Sequence, residues 1–241
     1  MVNPAVTSAV AAELAPGGTL RASINLGNPV LAQGTPQAPA GVTVDIAREV
    51  AARLAVPVEL ACFDAARKAL AALVAGEATL GFLAIEPARE AELDFTAPYV
   101  LIEGVYAVRA GSPLWSAADV DAPGVRIGVR PGSAYDLYLT RTVTAAEIVR
   151  GDEGTAAFLG AGLDAAAGVR EPVTAAVAAD PGLRLLDGAF MQIRQAVATA
   201  RGKSPGTLAF LRDLVEELKA SGFIEGSLRR SGQTAPVAPA S

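Results

Sequence analysis

The feature that most constrains the fold is an alternation of short apolar extended runs with stretches of helical apolar spacing, which begins, breaks off and begins again. TLRASINL (19–26), PVELACF (57–63) and ATLGFLAI (78–85) read as strands. Between the first two, GVTVDIAREVAARLAV opens with a short extended run and then sets Ile46, Val50 and Leu54 on one helical face. Between the second and third, AARKALAALVAG is a helix, with Asp64 as the expected N-cap and Gly76 as the stop. ATLGFLAI carries few polar atoms, as a strand does when helices cover both faces of a parallel sheet. The opening is therefore βαβαβ.

The second series starts after VLIEGVYAVRA, a strand that ends in the loop GSPLWSAADVDAPG. VRIGVRPGSAYDLYLTRT reads as strand, glycine turn and helix. AEIVR, LDAAAGV and LRLLDG are strands, separated by the helices GDEGTAAFLGAG and EPVTAAVAADPG. FMQIRQAVATARG is extended, and PGTLAFLRDLVEELKASGFIEGSLRRSG is a long helix broken at Gly222. TAPVAPAS is expected to trail off as a disordered tail. The class is α/β with two lobes, and a cleft between lobes is a preferred place for small ligands.

Composition removes several functions. Net charge is −5, with 19% of residues charged and no run of Lys or Arg longer than two, so no basic stripe meets nucleic acid. Histidine is absent and Cys62 is the single cysteine. That excludes a disulfide within the chain and a cysteine-based zinc site, and no phosphate-binding Gly-Lys motif or nucleophile elbow calls for a cofactor or a catalytic residue. No apolar run approaches the ~20 residues of a membrane span. MVNPAVTSAVAAELAPGG lacks the basic start and continuous apolar core of a secretory signal. Either Met1 is the native start and the protein is cytoplasmic, or a signal has been removed.

LGFLAIEPAREAELDFTAPY (80–99) places Arg89 just past a buried strand, in a turn marked by Pro87 and before an aromatic, turn-rich segment. A guanidinium offers a planar fork that matches a carboxylate bidentately. Read alone, Arg89 fits an exposed pair with Glu90, Glu92 or Asp94, or a ligand anchor.

Taken in order, GTLRASINLGN, GVTVDIAREVAARLAVPVEL, the Arg89 to Tyr99 segment, GVRIGVRPGSAYD and LDAAAGV resemble the family 3 extracytoplasmic solute-binding proteins, the amino-acid-binding components of ABC importers. The resemblance runs from about Gly18 to Gly232. It implies two Rossmann-like lobes, 1–107 with 190–233 and 108–189, joined by extended crossovers near Tyr106 to Ala110 and Gly188 to Ile193, that close around a small carboxylate-bearing solute. It also implies a monomer, with an ABC permease as partner and a periplasmic location. Arg89 becomes the expected carboxylate anchor. Ser133, in a turn that exposes N–H groups at a helix start, is the expected second anchor, and Tyr135 either reaches the ligand or packs.

Three departures bear on the solute. Where the family usually carries an aromatic platform, INLGNPVLAQG offers Asn25 and Asn28, which serve either a polar ligand or the turn itself. Val169 stands where the family commonly holds the ligand ammonium with an Asp, and Ala84 stands where it often offers a hydroxyl. Either Glu171 or Glu86 substitutes, or the solute has no amine; Arg170 could add a positive contact for a dicarboxylate. Two alternatives to a transport function remain: a cytosolic solute sensor, and a lyase resembling cyclohexadienyl dehydratase, with Glu171 or Glu86 as its acid.

Overall fold

The computed structural model describes residues 4–241, so Met1 lies outside the described residues. The chain divides into two compact units, one running up to Leu101 and resuming at Arg194–Ser241, the other Ile102–Ile193.

In the first unit, α1 (Pro4–Leu14) precedes β1 (Leu20–Asn25), a hairpin of β2 (Gln33–Thr35) and β3 (Ala38–Ala40), α2 (Val42–Leu54), β4 (Val58–Phe63), α3 (Ala66–Val74), β5 (Leu80–Ala84) and the single turn α4 (Pro87–Glu90). β6 (Leu93–Arg109) carries the chain into the second unit. There β7 (Arg126–Val129), α5 (Ala134–Thr142), β8 (Glu147–Arg150), α6 (Gly154–Ala161), β9 (Ala165–Val169), α7 (Arg170–Ala179) and β10 (Leu183–Leu185) follow. β11 (Met191–Ala200) returns to the first unit, which α8 (Pro205–Ala220) and α9 (Phe223–Arg230) complete.

The first unit's sheet runs β4-β1-β5-β11, with β1 parallel to β4 and β5, and β11 antiparallel to β5. β5 is buried along its whole length, as its lack of polar residues requires. α3 lays Ala69 and Leu73 against Leu83, Leu93 and Ala198, and each fully buried large side chain of this kind contributes about 1.5–3 kcal/mol. In the second unit β9, β7 and β8 are parallel neighbours and β9 lies antiparallel to β6. Phe158 and Leu163 of the α6 region pack on Val105, Ala166 and Val173.

Several local expectations change. DFTAPY is not a turn: it is the first part of β6, because the reversal after β5 is completed within α4. The extended run before α2 lies at β3, and the helix starts directly after Gly41. Asp64 sits one residue before the N-cap Ala65 and pairs with Lys68 instead. The passage between units falls inside β6 and β11, after Leu101 and before Arg194, rather than at 107/108 and 189/190. The segment 234–241 is ordered against β6: Leu101 N–H donates to the Pro236 carbonyl, Ala238 N–H donates to that of Tyr99, and Ala235 and Ala238 are buried. A strand with open backbone groups recruits such a partner even from a proline-rich tail.

Candidate functional site

Parallel α/β sheets present ligands to the carboxyl ends of their strands, and the residues singled out from the sequence fall at such ends in both units. In the first unit, β1 ends at Asn25 and β5 at Ala84. The Asn25 Oδ1 accepts from Gly27 N–H at 3.1 Å, and the Asn28 Oδ1 accepts from Val30 N–H at 3.2 Å. Both side-chain carbonyls therefore serve the loop, which favours the turn role for that half of each amide.

Arg89 is the largest of the fully buried side chains, 2% exposed. Its guanidinium donates to the Ala84 carbonyl at 3.0 Å. Removal from water pushes its pKa down to about 10, against the opposing charge of nearby Glu86, which is itself buried. Arg89 is thus not an exposed partner of the surrounding acids. It is a desolvated cation fixed on the turn that follows β5.

In the second unit, Gly132 turns the chain after β7 with a φ of 70°, a left-handed conformation that suits glycine. Ser133 is the N-cap of α5, its side chain accepting from Asp136 N–H at 3.1 Å. Asp136, buried, accepts in turn from Gly132 N–H at 2.8 Å and pairs with Arg150 at 2.9 Å. Tyr135 is buried as well, and burial raises its pKa to about 12. Val169 ends β9 as the N-cap of α7, with no side-chain cap bond. Two residues on, the Glu171 Oε2 is buried and accepts no hydrogen bond among the described residues. Arg170, the option for a second positive contact, is held by Glu103 and by the Gly188 carbonyl and is 35% exposed.

Sequence reading passed over the rest of this rim. Arg130 and Arg150 occupy the ends of the neighbouring strands β7 and β8, each with an acid from another element: Glu153 at 2.7 Å from Arg130, and Asp136 for Arg150. The signal was present as an arginine closing each of three successive strands, at 130, 150 and 170. A cavity of about 410 Å³ in the same unit lies at the other ends of β7 and β9, lined by Arg109, Leu114, Leu163 and Asp164, and has no residue of this rim. Among the described residues, no group of three or more His, Cys, Asp and Glu is placed to hold a metal ion, and no helix is long and apolar enough to cross a membrane.

The chain belongs to the bacterial extracellular solute-binding proteins, family 3, whose family model matches residues 24–230. No curated protein sequence matches it significantly. Among solved structures, a mutant of ArgBP from T. maritima is 22% identical, with a TM-score of 0.75 over 93% of this chain and 99% of that one. A putative binding component of an ABC transporter from Wolinella succinogenes, complexed with lysine, is 21% identical with a TM-score of 0.74, over 89% and 95%. The ancestral amino-acid-binding protein AncCDT-1, a precursor of cyclohexadienyl dehydratase, is 21% identical with a TM-score of 0.72, over 90% and 97%. At this identity these likenesses establish a shared fold.

Proposed function

We propose that the protein binds a small amino acid through its carboxylate, as the substrate-binding component of an ABC importer, and catalyses no reaction. The observation that carries this is Arg89. A guanidinium held out of water and fixed by the Ala84 carbonyl has its charge disfavoured by its surroundings, and an incoming carboxylate would restore what burial removed. The Ser133 hydroxyl is the second anchor, since the Gly132 and Ser133 N–H groups are already given to Asp136 and to the Arg130 carbonyl, and the amide nitrogens of Asn25 and Asn28 are donors for the rest of the solute.

Val169 removes the usual ammonium partner, and the buried Oε2 of Glu171 supplies another. An unsatisfied buried acceptor costs about 1–3 kcal/mol, which an ammonium donor would recover. The solved relatives with lysine and of amino-acid-binding type are consistent with such a solute.

The test is a thermal-shift screen of ligand-stripped protein against amino acids, their 2-oxo and 2-hydroxy analogues and dicarboxylates, with and without Arg89→Ala. A ligand at ~100 times its Kd stabilises by roughly 2.7 kcal/mol, which is about 5–10 °C for a chain of this size. The expected result is shifts that vanish in an Arg89→Ala protein still folded by circular dichroism. Equal shifts in that variant, or none with any carboxylate, would overturn the reading.

A further inference from the structure

The cavity of about 410 Å³ at the ends of β7 and β9 away from the rim has the size of small-molecule sites, roughly 300–1,000 Å³. Its lining residues all belong to the second unit, so a ligand there needs nothing from the first. The chain itself fixes the walls. On one side, Arg184 donates to the carbonyls of Ala110, Ser112 and Leu114, and the Ser112 hydroxyl accepts from Leu114 N–H at 3.2 Å. On the other, Gly162 ends α6 with a φ of 59°, Leu163 is buried, and Asp164 accepts from Arg126 N–H at 2.8 Å. Pro113, Leu114, Pro123, Val125 and Leu163 make most of the lining apolar.

Arg109 and Asp164 are the charged lining residues, and they differ in how they are compensated. Asp164 pairs with the Arg126 side chain at 3.5 Å, besides its backbone bond. Arg109 lies over the Phe158 ring, its guanidinium carbon 5.3 Å from the ring centre, and among the described residues it has no acid partner and no side-chain hydrogen bond. An aromatic face holds a cation in place without cancelling its charge. Arg184, the other cation of this wall, is occupied by three carbonyls and by Trp115, over which it stacks at 4.3 Å. The acids of the neighbouring loop are engaged as well: Asp119 accepts from Trp115 and Ser116 N–H, and Asp121 from the N–H groups of residues 144–146. The charge offered to a ligand is therefore that of Arg109. Arg109 is exposed, and one screened ion pair contributes little by itself. The apolar lining has to supply the rest, which disfavours small hydrated anions.

We infer that this cavity is a second binding site, for a small monocarboxylate with an apolar body. The carboxylate meets Arg109, and the body lies along Leu114, Val125 and Leu163. The site is separate from Arg89 and does not rest on the proposed function.

Trp115, the one tryptophan of the chain, is 68% exposed and directly follows Leu114, so its emission reports on this wall. The experiment is a fluorescence titration of the full chain, repeated by calorimetry, with butanoate, hexanoate, octanoate and hexanamide. Saturable binding is expected, tighter by up to about fourfold for each added methylene. Hexanoate should bind roughly three- to fivefold more tightly than hexanamide. Arg109→Gln should abolish that preference and keep the dependence on chain length. Val125→Phe, which fills the cavity, should weaken hexanoate at least about tenfold; this variant decides alone if Arg109→Gln does not fold. No saturable binding by any of the acids, or a preference for acid over amide that persists in Arg109→Gln, would overturn the inference. Binding unchanged in Val125→Phe would place the acids elsewhere on the chain and overturn it too, while leaving the proposed function intact.

Discussion

The strands β5 and β7 are each followed by an arginine, Arg89 on the turn after β5 and Arg130 directly after β7, and the two are held in opposite ways. Arg89 is buried, braced by a backbone carbonyl and presented on a single helical turn. Arg130 keeps part of its surface in water and pairs with an acid, Glu153, that is 55% exposed. The first is held away from water against the backbone, and the second is an ion pair with one member open to solvent. Burial makes the first guanidinium's charge costly, whereas water screens the second pair.

The contrast has a sharp test in Asp136, the buried acid that ties the second unit's turn together. Asp136→Ala strands the Gly132 N–H and removes the partner of Arg150. The expected loss is about 1–3 kcal/mol, seen as a Tm lower by roughly 2–10 °C. Asp136→Asn keeps an acceptor for Gly132 and should lose less. Hydrogen exchange should locate the loosening in β7 and α5 and leave β1 and β4 protected. Equal loosening in both units would mean that the rim is not an independent network.

The amine site separates the units at the level of specificity. Glu171→Gln should weaken an amino acid roughly tenfold relative to its 2-oxo analogue, and Val169→Asp added to it should restore the preference by supplying a carboxylate at the end of β9. Titration of both analogues checks this. If Glu171→Gln weakens both alike, the residue is structural and the solute has no amine.

The sequence made the strands legible because buried strands must be apolar and their helices must show a stripe; β5 and α3 satisfy both demands. It did not disclose α1, whose residues are nearly all apolar or small and so show no periodicity. Nor did it disclose the ordered tail, since pairing to Tyr99 and Leu101 is a backbone matter that a run of Pro and Ala does not announce. At the site, Arg89 could be singled out because its neighbours form a continuous motif. Arg130, Asp136, Arg150 and Glu153 come from four elements, and only the register of β7 with β8 and the seating of α6 bring them together.

The smallest effect belongs to a carboxylate outside both anchors and sets a baseline for them. Asp121 accepts from the N–H groups of Thr144, Ala145 and Ala146 and from the Thr144 hydroxyl, and these bonds hold its pKa at about 2. Because the folded value lies below the ordinary one near 3.8, the stabilisation is fully present above the unfolded pKa. It is lost as pH falls through about 2, where both states are protonated. The Tm difference between wild type and Asp121→Asn should therefore be level from about pH 7 to 5 and shrink steadily below about pH 4. The group is open to solvent, so the difference should be small, a degree or two at most by comparison with Asp136→Ala. Thermal melts across that range read it directly. A gap that persists unchanged at low pH would mean that loop geometry, and not charge, fixes the 144–146 turn, and that the contribution of charge at the Asp136 rim must be argued from burial alone.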